Sequence, residues 1–367
     1  MGRWKIGSFT AALGCIAVGI IVAMAQYGLI TYAALGYLWP ALLILFGVEM
    51  LLRLFVRSDT KSRISGWAVV LIVLLVAASA GQTVLAGGTL SGFLGNNRLA
   101  PLSGTQEIGP EITNVKIIIP DGKIKVIGEA AGSALQYEGS LLVSGSSDSG
   151  AAQELKKRWK ISTREDTLVL EMEENDNWLA NIQIGFVTKS AYLNVNLPEN
   201  LAVKVESGNG SIEASGIQSG LTVDSSNGKL DIQDIQGGLN AHSSNGSLTI
   251  KNIQGETELV SSNGAMTLDN IDGALTAKSS NGRITLNSAV KGDWKLTSYN
   301  GKVVLGVPAD TDAKVTGDSS SGSLKGNLPW VLEEGEDNNH GTAVLGKGTY
   351  EVNISSSNGS VTVDTGQ

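Results

Sequence analysis

The 367-residue chain has 27 basic and 35 acidic side chains, a formal net charge of −8, and only 17% charged residues. The first 88 residues are net basic and the remainder is net acidic, which argues against a nucleic acid partner for the larger part. The single cysteine, Cys15, excludes an intramolecular disulfide. With only two histidines besides, a Cys/His zinc site is not expected, and we predict neither a metal nor a cofactor.

Three apolar stretches lie at about 7–25, 37–56 and 64–86. Each approaches the ~20 residues that a helix needs to cross a bilayer, so residues 1–88 are predicted to enter the lipid bilayer as three transmembrane helices. Basic residues precede the first stretch and separate the second from the third, whereas the loop between the first two has none. The positive-inside rule then predicts a multi-pass cell-membrane protein with a cytoplasmic N-terminus and an extracytoplasmic C-terminal part.

The segment that follows the membrane region changes composition. Residues 89–111 are rich in Gly, Ser and Asn and are predicted to be a linker. Residues 112–202 contain short alternating apolar runs, with one or two helical turns expected near 153–159. We interpret 112–202 as an irregular β region that starts and caps the domain beyond it.

From residue 203 onward the sequence repeats, most regularly over 203–292, where the period is 18 residues. Each unit holds two alternating apolar runs and a further apolar position, at 217, 235, 253, 271 and 289. An Asn-Gly step recurs between the two runs. The predicted repeat corners are Asn209, Gly210, Asn227, Gly228, Asn245, Gly246, Asn263, Gly264, Asn281, Gly282, Asn300, Gly301, Asn358 and Gly359.

Identical residues at a fixed period favour a stack of coils, because equal side chains then lie above one another. The sequence therefore predicts an all-β parallel β-solenoid with 18-residue coils over 203–367, with an acidic loop near 331–340. Asn-Gly is also the usual signal of a tight hairpin, so an antiparallel meander stays open as the alternative.

Two segments resemble known families. Residues 192–205 read YLNVNLPENLAVKV and precede the Ser-Ser-Asn-Gly units; together, over roughly 110–367, they resemble the putative-adhesin β-strand repeat proteins of bacteria. Residues 38–47 read LWPALLILFG and resemble the membrane region of Lia-type cell-envelope stress proteins. Both resemblances imply a cell-surface role, and neither implies a catalytic residue.

The predicted function is a membrane-anchored, surface-exposed, non-catalytic binding or scaffold module of the bacterial cell envelope, in the context of envelope stress, with a cell-wall or envelope-protein partner. A self-assembling structural rod is the first alternative, and the oligomeric state stays open. A glycan-processing enzyme is a weaker alternative, because the outward positions of the repeat hold no consistent pair of carboxylates. The sequence around Ser319 resembles a protease nucleophile loop, but it falls where a repeat corner should recur.

Overall fold

The computed structural model describes residue 16 and residues 97–130, 132–145, 147–174, 190–332 and 339–366. Within these residues, no helix has both the length and the apolar character needed to cross a membrane. The three predicted transmembrane helices lie, apart from residue 16, outside the described residues. The described strands all belong to one compact unit, Gly95–Gln367.

The described strands form two sheets, here called sheet A and sheet B. Sheet A contains β1 (Asn97–Glu107), β3 (Lys123–Glu129), β4 (Ala134–Ser144), β7 (Tyr192–Pro198), β9 (Ile212–Ile217), β11 (Leu230–Ile235), β13 (Leu248–Gln254), β15 (Met266–Asp272), β17 (Ile284–Asn287), β19 (Val303–Val307), β21 (Leu324–Gly326) and β25 (Val361–Thr365). Sheet B contains β2 (Asn114–Asp121), β5 (Trp159–Arg164), β6 (Thr167–Met172), β8 (Ala202–Asn209), β10 (Leu221–Ser225), β12 (Leu239–Ser243), β14 (Thr257–Ser261), β16 (Leu275–Ser279), β18 (Trp294–Ser298), β20 (Ala313–Ser319), β22 (Val331–Leu332), β23 (His340–Leu345) and β24 (Tyr350–Ser356). One helix is described, α1 (Asp148–Arg158).

Each repeat unit is one coil with one strand in each sheet, and neighbouring coils pair in parallel. Leu221 of β10 faces Val203 of β8 on one side and Leu239 of β12 on the other, so the register equals the 18-residue period. The parallel β-solenoid prediction is therefore confirmed for this part of the chain, and the antiparallel meander is wrong for the repeat. The reason is that stacked coils place each apolar position above its equivalent.

The core lies between the two sheets and is made of these stacked apolar positions. Val223, Ile232 and Ile250 are fully buried. Burial of such a side chain stabilises a fold by about 1.5–3 kcal/mol, so the continuous columns supply most of the favourable free energy. At position 289 the prediction is wrong: Ala289 is exposed and Val290 is buried instead. The coil there is one residue longer, since Leu275 pairs with Trp294.

Two predictions for the region before the repeat need correction. Residues 97–107, assigned to the linker, form β1, which pairs antiparallel with β4 along its whole length. The glycine-rich composition hid this strand, whose Ala100 is buried in the core. Instead of the one or two helical turns expected near 153–159, the chain forms the longer helix α1, Asp148–Arg158. It begins earlier because Ser147 caps its N-terminus by accepting a hydrogen bond from the Gly150 amide.

The coils at both ends of the stack lie out of chain order. In sheet B the spatial order is β22-β23-β20-β24-β18-β16-β14-β12-β10-β8-β2-β6-β5. The first coil, β2 with β3, is thus enclosed between the β6–β7 coil and the β8–β9 coil. The last coil, β24 with β25, is enclosed between the β18–β19 coil and the β20–β21 coil.

Both ends of the acidic loop predicted near 331–340 are strand instead. Val331 and Leu332 form β22, and His340 begins β23, which pairs antiparallel with both β22 and β20. Residues 333–338 lie outside the described residues. The segment therefore does not bulge from a single parallel coil but adds antiparallel strands beyond β20, the arrangement that blunts the edge of a sheet.

Candidate functional site

A long groove runs across the outer side of sheet B, where the strands of successive coils begin. Its volume is about 700 Å³, and it runs from the start of β6 across β2, β8, β10 and β12 to the start of β14. Neighbouring strands lie about 4.8 Å apart, so these six neighbouring strands give a groove of about 24 Å in length. A ligand that fits along it would be an extended chain and not a compact molecule.

Glycine turns create this groove. Gly220, Gly237 and Gly238 line it and have backbone φ angles of 103°, 74° and 96°. Such left-handed backbone is strained for other residues, and glycine also leaves no side chain to fill the corner. The strand starts are therefore open to solvent.

One end of the groove carries a chain of ion pairs. Lys116 Nζ lies 2.9 Å from Glu206 Oε1, and Lys204 Nζ lies 3.0 Å from the same oxygen and 3.3 Å from Asp224 Oδ2. Burial opposes the ionisation of Glu206, but the hydrogen bonds from Lys116 and Lys204 outweigh it and lower the pKa of Glu206. The hydrogen bond with Glu206 in turn raises the pKa of Lys204. Both lysines line the groove.

The other end of the groove is acidic. Glu256 and Glu258 line it, and the uncharged polar residues Thr222 and Asn240 lie between the two ends. The groove therefore has hydrogen-bonding groups along its middle, with cations at one end and anions at the other. Hydrogen-bonding side chains on a rigid strand surface suit recognition of a polar, extended polymer or peptide.

The predicted corner residues lie away from this groove, at the turns that follow the sheet B strands. There the Asn side chains form one continuous ladder: each amide nitrogen donates to the amide oxygen of the preceding coil. The rungs from Asn227 to Asn358 have donor–acceptor distances of 2.6–2.8 Å. At the N-terminal end Asn209 donates to the carboxylate of Asp121 at 2.8 Å, so the ladder ends on an anionic acceptor.

The corner glycines stack as closely as the asparagines. A Cβ on Gly246 would overlap the carbonyl oxygen of Gly228, and a Cβ on Gly264 would overlap that of Gly246. Only glycine fits this column, because backbone meets backbone. The Asn-Gly corners thus form a structural spine of the stack, and nothing in their geometry marks a ligand site.

Sequence reasoning missed a second, shorter ladder on the sheet A side. Asn252 donates to Asp234 at 2.8 Å, and Asn270 donates to Asn252 at 3.0 Å. Their backbone φ angles are positive, 55° at Asp234, 54° at Asn252 and 53° at Asn270, a conformation that Asn and Asp tolerate better than most residues. The signal was present in the sequence as a polar residue before isoleucine at an 18-residue spacing.

Within the described residues, the structure holds no group of three or more His, Cys, Asp or Glu side chains that could bind a metal ion. The serine of the protease-like sequence, Ser319, is fully buried. Its hydroxyl accepts from the Gly322 amide at 3.0 Å and donates to the Gly359 carbonyl at 2.8 Å. This is the geometry of a repeat corner, and it leaves the hydroxyl inaccessible to a substrate.

Comparison with known proteins gives two family matches. Residues 138–364 match the family model described as Toastrack DUF4097, and residues 10–94 match the LiaF transmembrane domain. The second match places a membrane domain before the β unit. A search of curated proteins found no match.

The comparison with solved structures gives, among its matches, two bacterial proteins. One is a putative cell adhesion protein from Clostridium sporogenes, with 14% identity and a TM-score of 0.24 over 72% of this chain and 99% of that one. The other is a putative adhesin from Bacteroides fragilis, with 15% identity and a TM-score of 0.41 over 72% of this chain and 96% of that one.

Proposed function

Because this chain belongs to the Toastrack DUF4097 family and also carries a LiaF-type transmembrane domain, we propose that it is a membrane-anchored, non-catalytic binding module of the bacterial cell envelope. The two family matches support a membrane-associated binding or scaffold module. The groove on sheet B is the observation that carries the binding role. It is an open, polar channel on a rigid stack of coils, with a length suited to an extended partner.

The proposed topology has three transmembrane helices at about 7–25, 37–56 and 64–86, a cytoplasmic N-terminus and an extracytoplasmic β unit. The basic residues Arg3 and Lys5 and the loop from Arg53 to Arg63 support it. Protease treatment of intact protoplasts should cleave the β unit and spare a tag at the N-terminus. Protection of the β unit until the membrane is permeabilised would overturn this topology.

The binding role is tested by co-sedimentation of the Gly95–Gln367 unit with isolated cell walls and with membrane vesicles. This boundary keeps β1 intact, because β1 begins at Asn97. Thr222 and Asn240 line the groove, whereas Thr276 occupies the same outward column of sheet B beyond it. Replacing Thr222 and Asn240 by Lys should abolish saturable binding, while Thr276→Lys should leave it unchanged.

Three results would change this proposal. Equal loss of binding in the groove variant and the Thr276→Lys control would remove the groove as the site. Absence of binding by the unaltered unit would shift the partner to a membrane protein contacted by the transmembrane region, with the solenoid as a spacer. Turnover of cell-wall polymer by the unaltered unit would contradict the non-catalytic role.

Self-assembly is the second candidate, and the exposed apolar side chains at the β22–β23 end of sheet B favour it. Val331, Leu332 and Val344 are 73%, 39% and 57% exposed. Analytical ultracentrifugation should then detect a concentration-dependent association that Val331→Lys and Val344→Lys weaken. A monomer throughout the accessible concentration range would exclude this role.

A further inference from the structure

The corner ladder contains a row of Asn-Gly steps whose chemical reactivity the fold controls. In such a step the backbone nitrogen of glycine can attack the Cγ of the preceding asparagine, because glycine places no side chain in the way. All seven asparagines of the ladder are exposed to solvent. The same Asn-Gly step therefore recurs at the same surface position in successive coils, and the corners differ in their local hydrogen bonds.

Most corners restrain the attacking nitrogen. The Gly246 amide donates to the hydroxyl of Ser243, three residues earlier, at 3.0 Å. The same bond recurs in four other Asn-Gly corners, between Gly264 and Ser261, Gly282 and Ser279, Gly301 and Ser298, and Gly359 and Ser356, at 2.8–3.0 Å. This bond must break before the glycine nitrogen can turn toward Cγ, so it slows the attack.

Two corners lack this restraint. Within the described residues, the hydroxyls of Ser207 and Ser225 are buried without a hydrogen-bond partner. The amides of Gly210 and Gly228 are therefore not held by serine as their counterparts are. The geometry around the glycines agrees. The Ser243 hydroxyl is among the three atoms nearest to a Cβ on Gly246, whereas the three atoms nearest to a Cβ on Gly228 are all backbone atoms of the preceding coil.

We propose that Asn227 is the preferred site of spontaneous deamidation in this protein, with Asn209 as a slower second site. The Gly228 nitrogen bonds to Cγ of Asn227, the Cγ–Nδ2 bond breaks, and ammonia leaves with the proton of the glycine amide. Water then opens the cyclic imide at either carbonyl, which yields aspartate or isoaspartate. Solvent supplies the water, and no other reactant is required.

Asn209 reacts more slowly because its leaving nitrogen is held more strongly. Its Nδ2 donates to the carboxylate of Asp121, and hydrogen bonds to charged acceptors are roughly twice as strong as neutral ones. The Nδ2 of Asn227 donates only to the neutral amide oxygen of Asn209, at 2.8 Å. The reaction at Asn227 therefore requires only the loss of one neutral hydrogen bond, the one from its Nδ2 to Asn209.

Deamidation at Asn227 would alter the stack at that coil. The product loses the donor to Asn209 and places a carboxylate against the Asn209 amide oxygen. Isoaspartate would also add one atom to the main chain of a coil whose length is set by the 18-residue period. The β10 coil changed in this way also supplies Leu221 and Thr222 to the groove.

The test is ageing of the full-length protein in detergent at mildly alkaline pH, followed by peptide mapping with mass spectrometry in isotopically heavy water. Asn227 should convert several-fold faster than Asn245, Asn263 and Asn281. The matched variant Ser261→Ala removes the bond that restrains Gly264 and should bring Asn263 to the rate of Asn227. The control Ser225→Ala should leave the rate at Asn227 unchanged.

Either of two results would overturn the proposal. Equal rates at Asn227 and Asn245 would show that the serine bond does not govern reactivity. An unchanged rate at Asn263 in Ser261→Ala would show the same, provided that hydrogen exchange confirms an intact β14 in that variant. The proposal is supported if Ser261→Ala speeds conversion at Asn263 and at no other corner, and if Asn227 converts several-fold faster than Asn245.

Discussion

Asn358 donates its side-chain amide to Asn300 Oδ1 at 2.7 Å, although 58 residues separate the two in sequence. Rungs in the middle of the ladder join residues only 18 or 19 apart. The long interval exists because the β20–β21 coil and the β22–β23 strands are formed before the chain returns to insert its last coil between earlier ones. The C-terminal coil is therefore an interior coil in space.

An interior position predicts that the last coil is as costly to disturb as the middle of the stack. Ile354 of β24 and Ile250 of β13 are both buried, at 1% and 0% exposure. Each replacement by Ala should lower the free energy of unfolding by about 2–5 kcal/mol, measured by urea denaturation. A loss at Ile354 well below that at Ile250 would mean that the last coil frays like a chain end.

The close stacking of the corner glycines predicts a strong effect of a single added methyl group. Gly246→Ala should destabilise the protein by about 3 kcal/mol, the upper end of the usual cost of overpacking, because its Cβ would overlap the Gly228 carbonyl. Gly132→Ala is the control, since the nearest atom to its Cβ would lie 3.8 Å away, at the Ala134 carbonyl oxygen. Thermal unfolding of both variants checks this, and similar melting temperatures would contradict the stacking.

The periodic part of the fold could be predicted because one physical rule acts on every coil. Leu230, Leu248 and Met266 occupy one buried column, and large apolar residues at a constant 18-residue spacing are typical of stacked coils. The order of the end coils could not be predicted in this way. Val352 pairs with Trp294 on one side and with Val315 on the other. All three are apolar residues of one buried column, so the sequence does not indicate which coils are neighbours.

The candidate site was only partly visible in the sequence. Thr222 and Asn240 were recognisable as outward positions of a strand. The groove itself depends on Gly237 and Gly238, whose role appears only when the turns of several coils lie side by side. The Lys116–Glu206 pair was also hidden, since it joins residues from coils that are far apart in sequence.

The turn before the last coil predicts a stability that depends on pH. Asp312 accepts hydrogen bonds from the Thr349 hydroxyl at 2.6 Å, the Lys347 amide at 2.7 Å and the Thr349 amide at 3.1 Å. These bonds, led by the Thr349 hydroxyl, lower the pKa of Asp312. A carboxyl whose pKa is lower in the folded state stabilises the fold above its unfolded pKa, and this contribution is lost as the pH falls through the folded pKa.

Asp312→Asn should therefore reduce the urea midpoint at neutral pH and make the midpoint less sensitive to acid. The exposed Asp310, in the same loop, provides the matched variant Asp310→Asn, which should keep the acid sensitivity of the unaltered protein. The comparison is made by urea titrations at neutral and acidic pH. An unchanged acid sensitivity in Asp312→Asn would show that these bonds do not anchor the turn.

The ion pairs of the groove predict that binding and stability can be separated at Lys204. Its side chain is 44% exposed, and the side chains of Glu206 and Asp224 are 30% and 46% exposed. Ion pairs that are this accessible to solvent contribute only about 0.2–1 kcal/mol. Lys204→Ala should therefore leave the melting temperature nearly unchanged. It should weaken cell-wall binding, because Glu206 and Asp224 would then repel anionic groups of a partner at this end of the groove.

Lys295→Ala, in the same outward column of sheet B but beyond the groove, should bind normally in the same co-sedimentation assay. Unchanged binding by Lys204→Ala would place the anionic groups of the partner elsewhere, whereas a large fall in stability would mean that the pairs support the fold and not recognition.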